Sequence, residues 1–278
     1  LQGLRQVALS IFVLNIGINA ALVIFVFSVT DITVESLALG FSISTFVVFI
    51  AAMLAWFRVP KNKGMSEIPW RVLFGSCMPL CVVLLVNQIV QWSGQIVAGA
   101  YLQSELVAQL AVAQRTAMLT SFVLMAVNWV VTPRLSKHFQ ENQLDKVEGL
   151  VRLSVRWMLY ISTPIVGLML VFPNLIMSLF GDGFEAAGSL LVILVLGQFV
   201  NVITGPVVQL LVMSGHERDV RTISIVVCVF AVTSSFVLTA NFGVFGSAIA
   251  TASAVAINNL LAVVYVKHRL DINVFSRG

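Results

Sequence analysis

The residue with the most unusual chemistry in this sequence is Arg115, which lies near the middle of an apolar stretch from Ser104 to Val131. A helix of this length can span a bilayer, and an arginine at its centre costs roughly 2.5 to 3.5 kcal/mol on insertion scales. Arg115 would lie about 16 Å along the helix from Ser104, so its side chain does not easily reach a headgroup layer. Such a residue usually faces a hydrated cavity or an anionic partner. Arg115 is therefore a candidate binding residue.

A structural role for Arg115 is the alternative. Ser104, Ala108 and Ala111 share its helix face by their spacing, and small residues let a neighbouring helix approach closely. Arg115 would then pair with buried carbonyl or amide groups. The sequence leaves both interpretations open.

Amide side chains form stripes on other apolar segments and could line a shared internal cavity. Amides both donate and accept hydrogen bonds, so they could bind a polar ligand, whereas the alternative is hydrogen bonding between helices. A further stripe, on the eighth apolar span below, comprises Ser247, Thr251 and Asn258. With Arg115, the candidate substrate-binding residues are Gln88, Gln91 and Gln95 on one segment and Gln198, Asn201 and Gln209 on another.

The elements that must position these side chains are transmembrane helices. The chain has 278 residues, of which 59% are hydrophobic and 10% charged, and its mean hydropathy is +1.01. Apolar runs of spanning length recur along it, which predicts an all-α polytopic membrane protein. The eight predicted spans cover about residues 8–29, 36–57, 72–98, 104–131, 153–172, 187–213, 220–240 and 245–266.

Two of these spans contain helix-breaking residues. Pro164 interrupts the fifth span, and Gly205 with Pro206 interrupts the sixth. Such residues kink or break membrane helices where protein or a cavity can satisfy the freed carbonyl groups. We predict that all three are hinges. The charged segment 133–152 is expected to be amphipathic and to lie on the membrane surface.

The net charge of +4 does not indicate nucleic-acid binding, because the basic residues sort by membrane side. They fall at one set of span ends, and the turns near Asp31, Tyr101, Asp182 and Asn241 carry no Lys or Arg. The positive-inside rule then predicts that both ends of this chain are cytoplasmic.

The sequence contains few residues of the types that form disulfides, metal sites or catalytic sites. Cys77, Cys81 and Cys228 all fall within apolar spans, which excludes a disulfide framework. No nucleotide-binding loop, metal motif or nucleophile–base pair is recognisable. We therefore expect no catalytic residue, no metal, no cofactor and no enzymatic activity.

The order of the spans predicts a two-lobed arrangement. The first two spans resemble the last two in charge pattern and in their small residues, as expected of repeated units in transporters. We therefore expect residues 1–59 to be the last two helices of an N-terminal lobe, 60–72 a cytoplasmic linker, and 73–278 a six-helix C-terminal lobe. Four helices of the first lobe would precede this chain.

Several stretches resemble the oligosaccharide flippases of the multidrug/oligosaccharidyl-lipid/polysaccharide exporter superfamily. They are LFGDGFEAA at 179–187, GQFVNVITGP at 197–206, SGHERD at 214–219, AVAQR at 111–115 with VVTPRLSKH at 130–138, and GVFGSAIATASA at 243–254. The resemblance implies an inverted-V transporter that moves undecaprenyl-diphosphate-linked oligosaccharides across the bacterial inner membrane, for O-antigen, lipopolysaccharide or another surface polysaccharide. It also implies contact with the phospholipid bilayer, a polysaccharide polymerase and chain-length proteins, and it makes Arg115 a cavity residue.

Other functions remain open from the sequence. A multidrug or cation antiporter of the same superfamily would be expected to use carboxylates within the membrane, and the spans here show no clear mid-span Asp or Glu. A lipid II flippase would share the diphosphate chemistry but is expected to have a more cationic cavity. A membrane enzyme acting on lipid-linked sugars usually relies on a large external loop, whereas the predicted external turns are short.

Overall fold

The computed structural model describes residues 16–29, 33–57, 70–141 and 143–271, which form helices joined by short turns and contain no strand. This confirms the predicted all-α class. The helices are α1 (Gly17–Ser28), α2 (Val34–Phe57), α3 (Trp70–Tyr101), α4 (Ser104–Met118), α5 (Ser121–Gln140), α6 (Leu144–Val171), α7 (Pro173–Ser178), α8 (Gly188–Thr204), α9 (Val207–Met213) and α10 (Glu217–Leu270), with a 3₁₀ turn at Glu185–Ala187 before α8.

Stretches long and apolar enough to cross a membrane recur through the described helices, which confirms a polytopic membrane protein. The first predicted span, about 8–29, is described only from residue 16, and its earlier part lies outside the described residues. By length and composition, the qualifying stretches are Val34–Leu54, Ser104–Phe139, Asp145–Val171, Glu185–Thr204 and Glu217–Leu270.

The chain divides into two compact units, residues 1–69 and residues 70–278. In the first unit, α1 packs against α2, and a Cβ atom on Gly40 would overlap with Cδ1 of Phe25. The start of α2 is capped reciprocally: the Thr33 amide donates to Ser36 Oγ, and the Ser36 amide donates to Thr33 Oγ1. The interlobe linker predicted at 60–72 falls mostly on residues that are not described.

In the second unit, α10 is one run of 54 residues that bends sharply at Gly243, where φ is 57° and ψ is −137°. At 1.5 Å per residue it would be about 80 Å long if straight, more than twice the bilayer core. Its halves, α10a (217–242) and α10b (244–270), correspond to the seventh and eighth predicted spans. Gly243 makes the bend possible because few other residues adopt a positive φ.

Small residues bring α10b close to its neighbours. A Cβ atom on Gly197 of α8 would lie 2.7 Å from the Cα atom of Ala252, and one on Gly94 of α3 would overlap with Thr251 Oγ1. Membrane helices use such residues for close backbone approach. Two clusters of buried apolar side chains complete the core of this unit.

The charged segment at 133–152 is divided between two helices. Helix α5 continues through Pro133 to Gln140, and α6 begins at Leu144, so the charged residues lie at the ends of two long helices. Ion pairs from Lys137 to Glu141 and from Arg152 to Glu148 have the i,i+4 spacing that supports helix. The position of this segment on the membrane surface stays a prediction.

Candidate functional site

Arg115 lies in the last turn of α4. Helix α4 ends at Met118 and α5 begins at Ser121, with a tight turn in which the Leu119 amide donates to the Thr116 carbonyl at 3.1 Å. Leu119 and Thr120 keep right-handed helical backbone angles, so Ser104–Phe139 remains one stretch long and apolar enough to cross a membrane.

The Arg115 side chain is exposed and has no hydrogen-bond or ion-pair partner among the described residues. It lines a small cavity of about 70 Å³, which we call the arginine pocket. On the same helix face, Ser104 and Ala108 are also exposed. The structural alternative, in which Arg115 pairs with buried groups beneath a close neighbouring helix, is therefore not found in the described part of the chain. Besides Arg115, the pocket is lined by Gln91, Trp92, Gln95, Gln114 and Met118.

A set of glutamine contacts holds this pocket together. Gln95 Nε2 donates to Gln114 Oε1 at 2.8 Å, and Gln114 Nε2 donates to the Gln91 carbonyl oxygen at 3.1 Å. Gln114 is buried and directly precedes Arg115. These hydrogen bonds join α3 to α4 and so position the helix turn that carries the arginine.

A larger cavity of about 410 Å³, which we call the amide cavity, adjoins the arginine pocket. The two share Gln91, Gln114 and Met118. Its volume lies in the range of small-molecule sites, roughly 300 to 1,000 Å³. The polar side chains that line it come from α3, α4, α5, α8 and α10: Asn87, Gln91, Gln114, Ser121, Gln198, Asn201, Ser224, Thr251, Asn258 and Asn259.

Three of these side chains form a hydrogen-bonded group on one wall. Ser121 Oγ donates to Gln198 Oε1 at 2.6 Å, and Asn201 Nδ2 lies 3.3 Å from the same oxygen and 3.4 Å from Ser121 Oγ. The group joins α5 to α8. It leaves Gln198 Nε2 and Asn201 Oδ1 available, since neither atom has a hydrogen bond within the described residues.

Two side cavities adjoin the amide cavity, and Asn258 lines all three. One, of about 200 Å³, shares Asn87 and Ser224 with the amide cavity; the other, of about 190 Å³, shares Asn201. The second is also lined by Gln209 and by the break between α8 and α9. Neighbouring cavities thus share lining residues from the arginine pocket to that break within residues 70–278.

The break itself confirms the interruption predicted for the sixth span. Gly205 has φ 72° and ψ −154°, a conformation that only glycine adopts readily, and Pro206 follows it. A Cβ atom on Gly205 would also lie 2.5 Å from Val155 Cγ2 of α6. Pro164, in contrast, lies inside the unbroken helix α6. The hinge roles of all three residues stay predictions.

The structure places most, but not all, of the predicted polar residues beside a cavity. The structure brings Arg115, Gln91 and Gln95 together in the arginine pocket, and Gln209 lines a side cavity. Gln198 and Asn201 line the amide cavity, whereas Gln88 is exposed and lines none of these four cavities. Whether any of these residues binds substrate stays a prediction.

Sequence reasoning missed four amides that line the cavities: Asn87, Gln114, Asn128 and Asn259. Asn87 lies four residues before Gln91, and Gln114 is adjacent to Arg115, so the i,i+4 spacing and the neighbouring charge were available signals.

The described residues contain no group of three His, Cys, Asp or Glu side chains able to hold a metal ion. The thiols of Cys81 and Cys228 are free, and the Cys77 side chain lies outside the described atoms.

The fold and the cavities define a class: a polytopic helical membrane protein with a polar-lined interior and an exposed arginine beside it. Residues 79–237 match the MatE family, and residues 1–139 match the polysaccharide biosynthesis protein family. The chain belongs to these families, which confirms its predicted membership of the multidrug/oligosaccharidyl-lipid/polysaccharide exporter superfamily.

A curated relative has a similar sequence. The chain is 28% identical over 237 residues to the probable low-salt glycan biosynthesis flippase Agl15 of Haloferax volcanii. The matched region covers 80% of this chain and 50% of the relative. The chain thus spans about half the length of the curated relative that it matches.

Proposed function

We propose that the protein translocates lipid-linked oligosaccharides across a membrane by alternating access. In its specific form, the proposed cargo is an undecaprenyl-diphosphate-linked repeat unit, and the membrane is a bacterial inner membrane. The product would serve O-antigen or another surface polysaccharide. The observation that carries the proposal is the exposed Arg115, which has no partner in the described part of the chain and lies beside a cavity lined by amides.

The chemistry of the cargo matches these two neighbouring sites. A diphosphate is doubly anionic or more, and the planar guanidinium group of arginine offers paired donors that match phosphate oxygens. Sugar hydroxyls need partners that both donate and accept hydrogen bonds, which amides provide. The lipid tail can stay in the bilayer, so the protein need enclose only the polar head.

Movement of the head requires the polar space to open alternately to each side. The Gly205–Pro206 break lies beside a side cavity, and Pro164 removes one backbone donor from α6. We propose both as hinges, with the two ends of this chain in the cytoplasm as the positive-inside rule predicts. A polysaccharide polymerase and chain-length proteins would act on the cargo after translocation. No step makes or breaks a covalent bond, so the proposed activity is transport and not enzymatic.

Relationship to the Haloferax volcanii flippase supports this function, because the name of that protein describes glycan biosynthesis and flipping. A cation antiporter receives less support, since no carboxylate from the described residues lines the arginine pocket, the amide cavity or the side cavities. Antiport of cations would need such groups in low-dielectric surroundings. A lipid II flippase would share the diphosphate contact with Arg115, but the more cationic cavity expected of it is not found among the described residues, where Arg115 is the one cationic residue lining these cavities.

The test is a translocation assay in proteoliposomes with a fluorescent undecaprenyl-diphosphate oligosaccharide. The unsubstituted protein should move the probe, and Arg115→Ala should slow movement about 100-fold, because a charge-assisted bidentate contact is worth up to about 3 kcal/mol. Asn241→Ala is the matched control: this exposed amide bonds only to the Val237 carbonyl, far from Arg115 in sequence and outside the cavities. Equal rates for Arg115→Ala and the control would contradict the proposal.

A further inference from the structure

Polar side chains without a hydrogen-bond partner among the described residues line the amide cavity and its side cavities. Ser224 is only 5% exposed, lines both the amide cavity and a side cavity, and has no side-chain hydrogen bond within the described chain. In the other side cavity, Asn128 Oδ1 is buried without a partner in the described part of the chain. Buried polar groups are almost always hydrogen-bonded, so this atom indicates water or a polar ligand in that side cavity.

Asn258 is common to the amide cavity and both side cavities, and it has no hydrogen-bond partner among the described residues. The neighbouring Asn259 amide, in contrast, is already engaged, because its Nδ2 donates to the Val255 carbonyl at 2.9 Å. Within the described chain, Asn258 therefore keeps both its donor and its acceptor for a ligand in these cavities.

Most of the lining surface of the amide cavity is apolar, and the polar groups that line the three cavities are uncharged. Among the described residues that form them, none is an Asp, Glu, Lys, Arg or His. Burying an unpaired carboxylate in such a space would cost several kcal/mol, whereas a hydroxyl or acetamido group can exchange hydrogen bonds with the amides. The exposed Arg115 lines the neighbouring arginine pocket, where it binds the diphosphate in the proposed function.

We propose that the amide cavity receives the sugars nearest the diphosphate and selects for uncharged ones, with Asn258 as the specificity-determining residue. The inference rests on the proposed function and deepens it by naming the chemical class of the sugar head. Neutral hexoses and N-acetylhexosamines bind through their hydroxyl and acetamido groups. A uronic acid at the same position is rejected because no cation from the described residues lines the amide cavity.

Three fluorescent polyprenyl-diphosphate probes test this in proteoliposomes: one without sugar, one carrying a neutral disaccharide, and one in which the first sugar is a uronic acid. The protein should move the neutral head at least about tenfold faster than the acidic head, the ratio expected from one unpaired polar contact. Asn258→Leu should slow the neutral head about tenfold more than it slows the sugar-free probe.

A charge substitution gives the second readout. Asn258→Lys should lower the neutral-to-acidic ratio about tenfold, because the ammonium group then pairs with the uronic carboxylate. Asn241→Lys on the same helix, outside the cavities, is the matched control and should leave the ratio unchanged. Poor insertion of the Asn258 variants does not obscure the result, since each ratio compares two probes in one preparation.

The outcomes separate this inference from the function on which it rests. Movement of all three probes at equal rates, dependent on Arg115 but not on Asn258, overturns the sugar selection and leaves the flippase function standing. Movement of no probe overturns both. A neutral preference that Asn258→Lys does not alter also overturns the role of Asn258, because the selection then resides elsewhere.

Discussion

Gln95 donates a hydrogen bond of 2.8 Å to the Oε1 atom of Gln114, the residue that directly precedes Arg115. Gln114 in turn donates a hydrogen bond from Nε2 to the Gln91 carbonyl oxygen at 3.1 Å. The buried amide of Gln114 thus joins α3 to the last turn of α4. The position of Arg115 depends on this contact, because the arginine itself has no hydrogen-bond partner among the described residues.

We expect Gln114→Leu to destabilise the protein by about 1 kcal/mol, since hydrogen bonds between membrane helices average roughly 0.6 kcal/mol each and two are lost. Reversible unfolding in mixed micelles would measure this. Gln88→Leu is the matched control, because Gln88 is an exposed amide of α3 and lines none of the cavities described above. A destabilisation of equal size in both variants would show that the Gln95–Gln114 contact has no special role.

Arg115→Lys should recover part of the activity that Arg115→Ala loses. Lysine keeps the positive charge but lacks the planar pair of donors, so we expect translocation about tenfold slower than that of the unsubstituted protein. Initial rates of probe movement at equal amounts of inserted protein would measure it. Full activity of the lysine variant would indicate that charge alone, without the bidentate geometry, attracts the diphosphate.

Gly205→Ala should destabilise the protein by about 1 to 3 kcal/mol, because φ is 72° there and the new Cβ atom would meet the Val155 side chain. Gly167→Ala is the control: it lies within α6 with no atom near its Cβ position, and alanine should stabilise helix there by up to about 1 kcal/mol. Thermal unfolding in detergent would compare the two. If Gly205 is a hinge, its variant should also slow translocation beyond what lost protein explains.

Arg269 at the end of α10b forms two hydrogen bonds with the Asp219 carboxylate near the start of α10a, at 2.8 and 3.2 Å. The pair ties together the two halves of α10 on the side opposite its bend at Gly243. We expect Asp219→Asn and Arg269→Gln each to lower stability and to show a positive coupling in a double-mutant cycle. The coupling should weaken as salt is added, because Arg269 is about half exposed.

The reversed pair, Asp219→Arg with Arg269→Asp, should recover the stability that either reversal alone loses. If the two reversals change the free energy of unfolding additively at every salt concentration, the ion pair does not hold the two halves of α10 together. Asp219 is the final residue of the SGHERD motif at 214–219, so the double-mutant cycle also measures what that residue of the motif contributes to stability.

Length, composition and helix-breaking residues by themselves determined much of the fold. The apolar runs predicted a polytopic helical protein because each backbone polar group in a bilayer must be satisfied within its own helix. Gly205–Pro206 predicted the break between α8 and α9, and Gly243 lies between the two spans that form α10. These features are local, so the residues themselves specify them. The domain boundaries and the membrane sidedness stay predictions.

Tertiary structure alone decided which polar residues meet. Periodicity showed that Gln88, Gln91 and Gln95 are near one another on one helix, but not how α3 is rotated against α4, so Gln88 was expected in a site that it does not line. The turn after Arg115 contains no Gly or Pro and left no local signal. Asn87, Gln198 and Asn258 belong to three helices, and only the close approach of those helices, permitted by Gly94 and Gly197, brings their amides around one cavity.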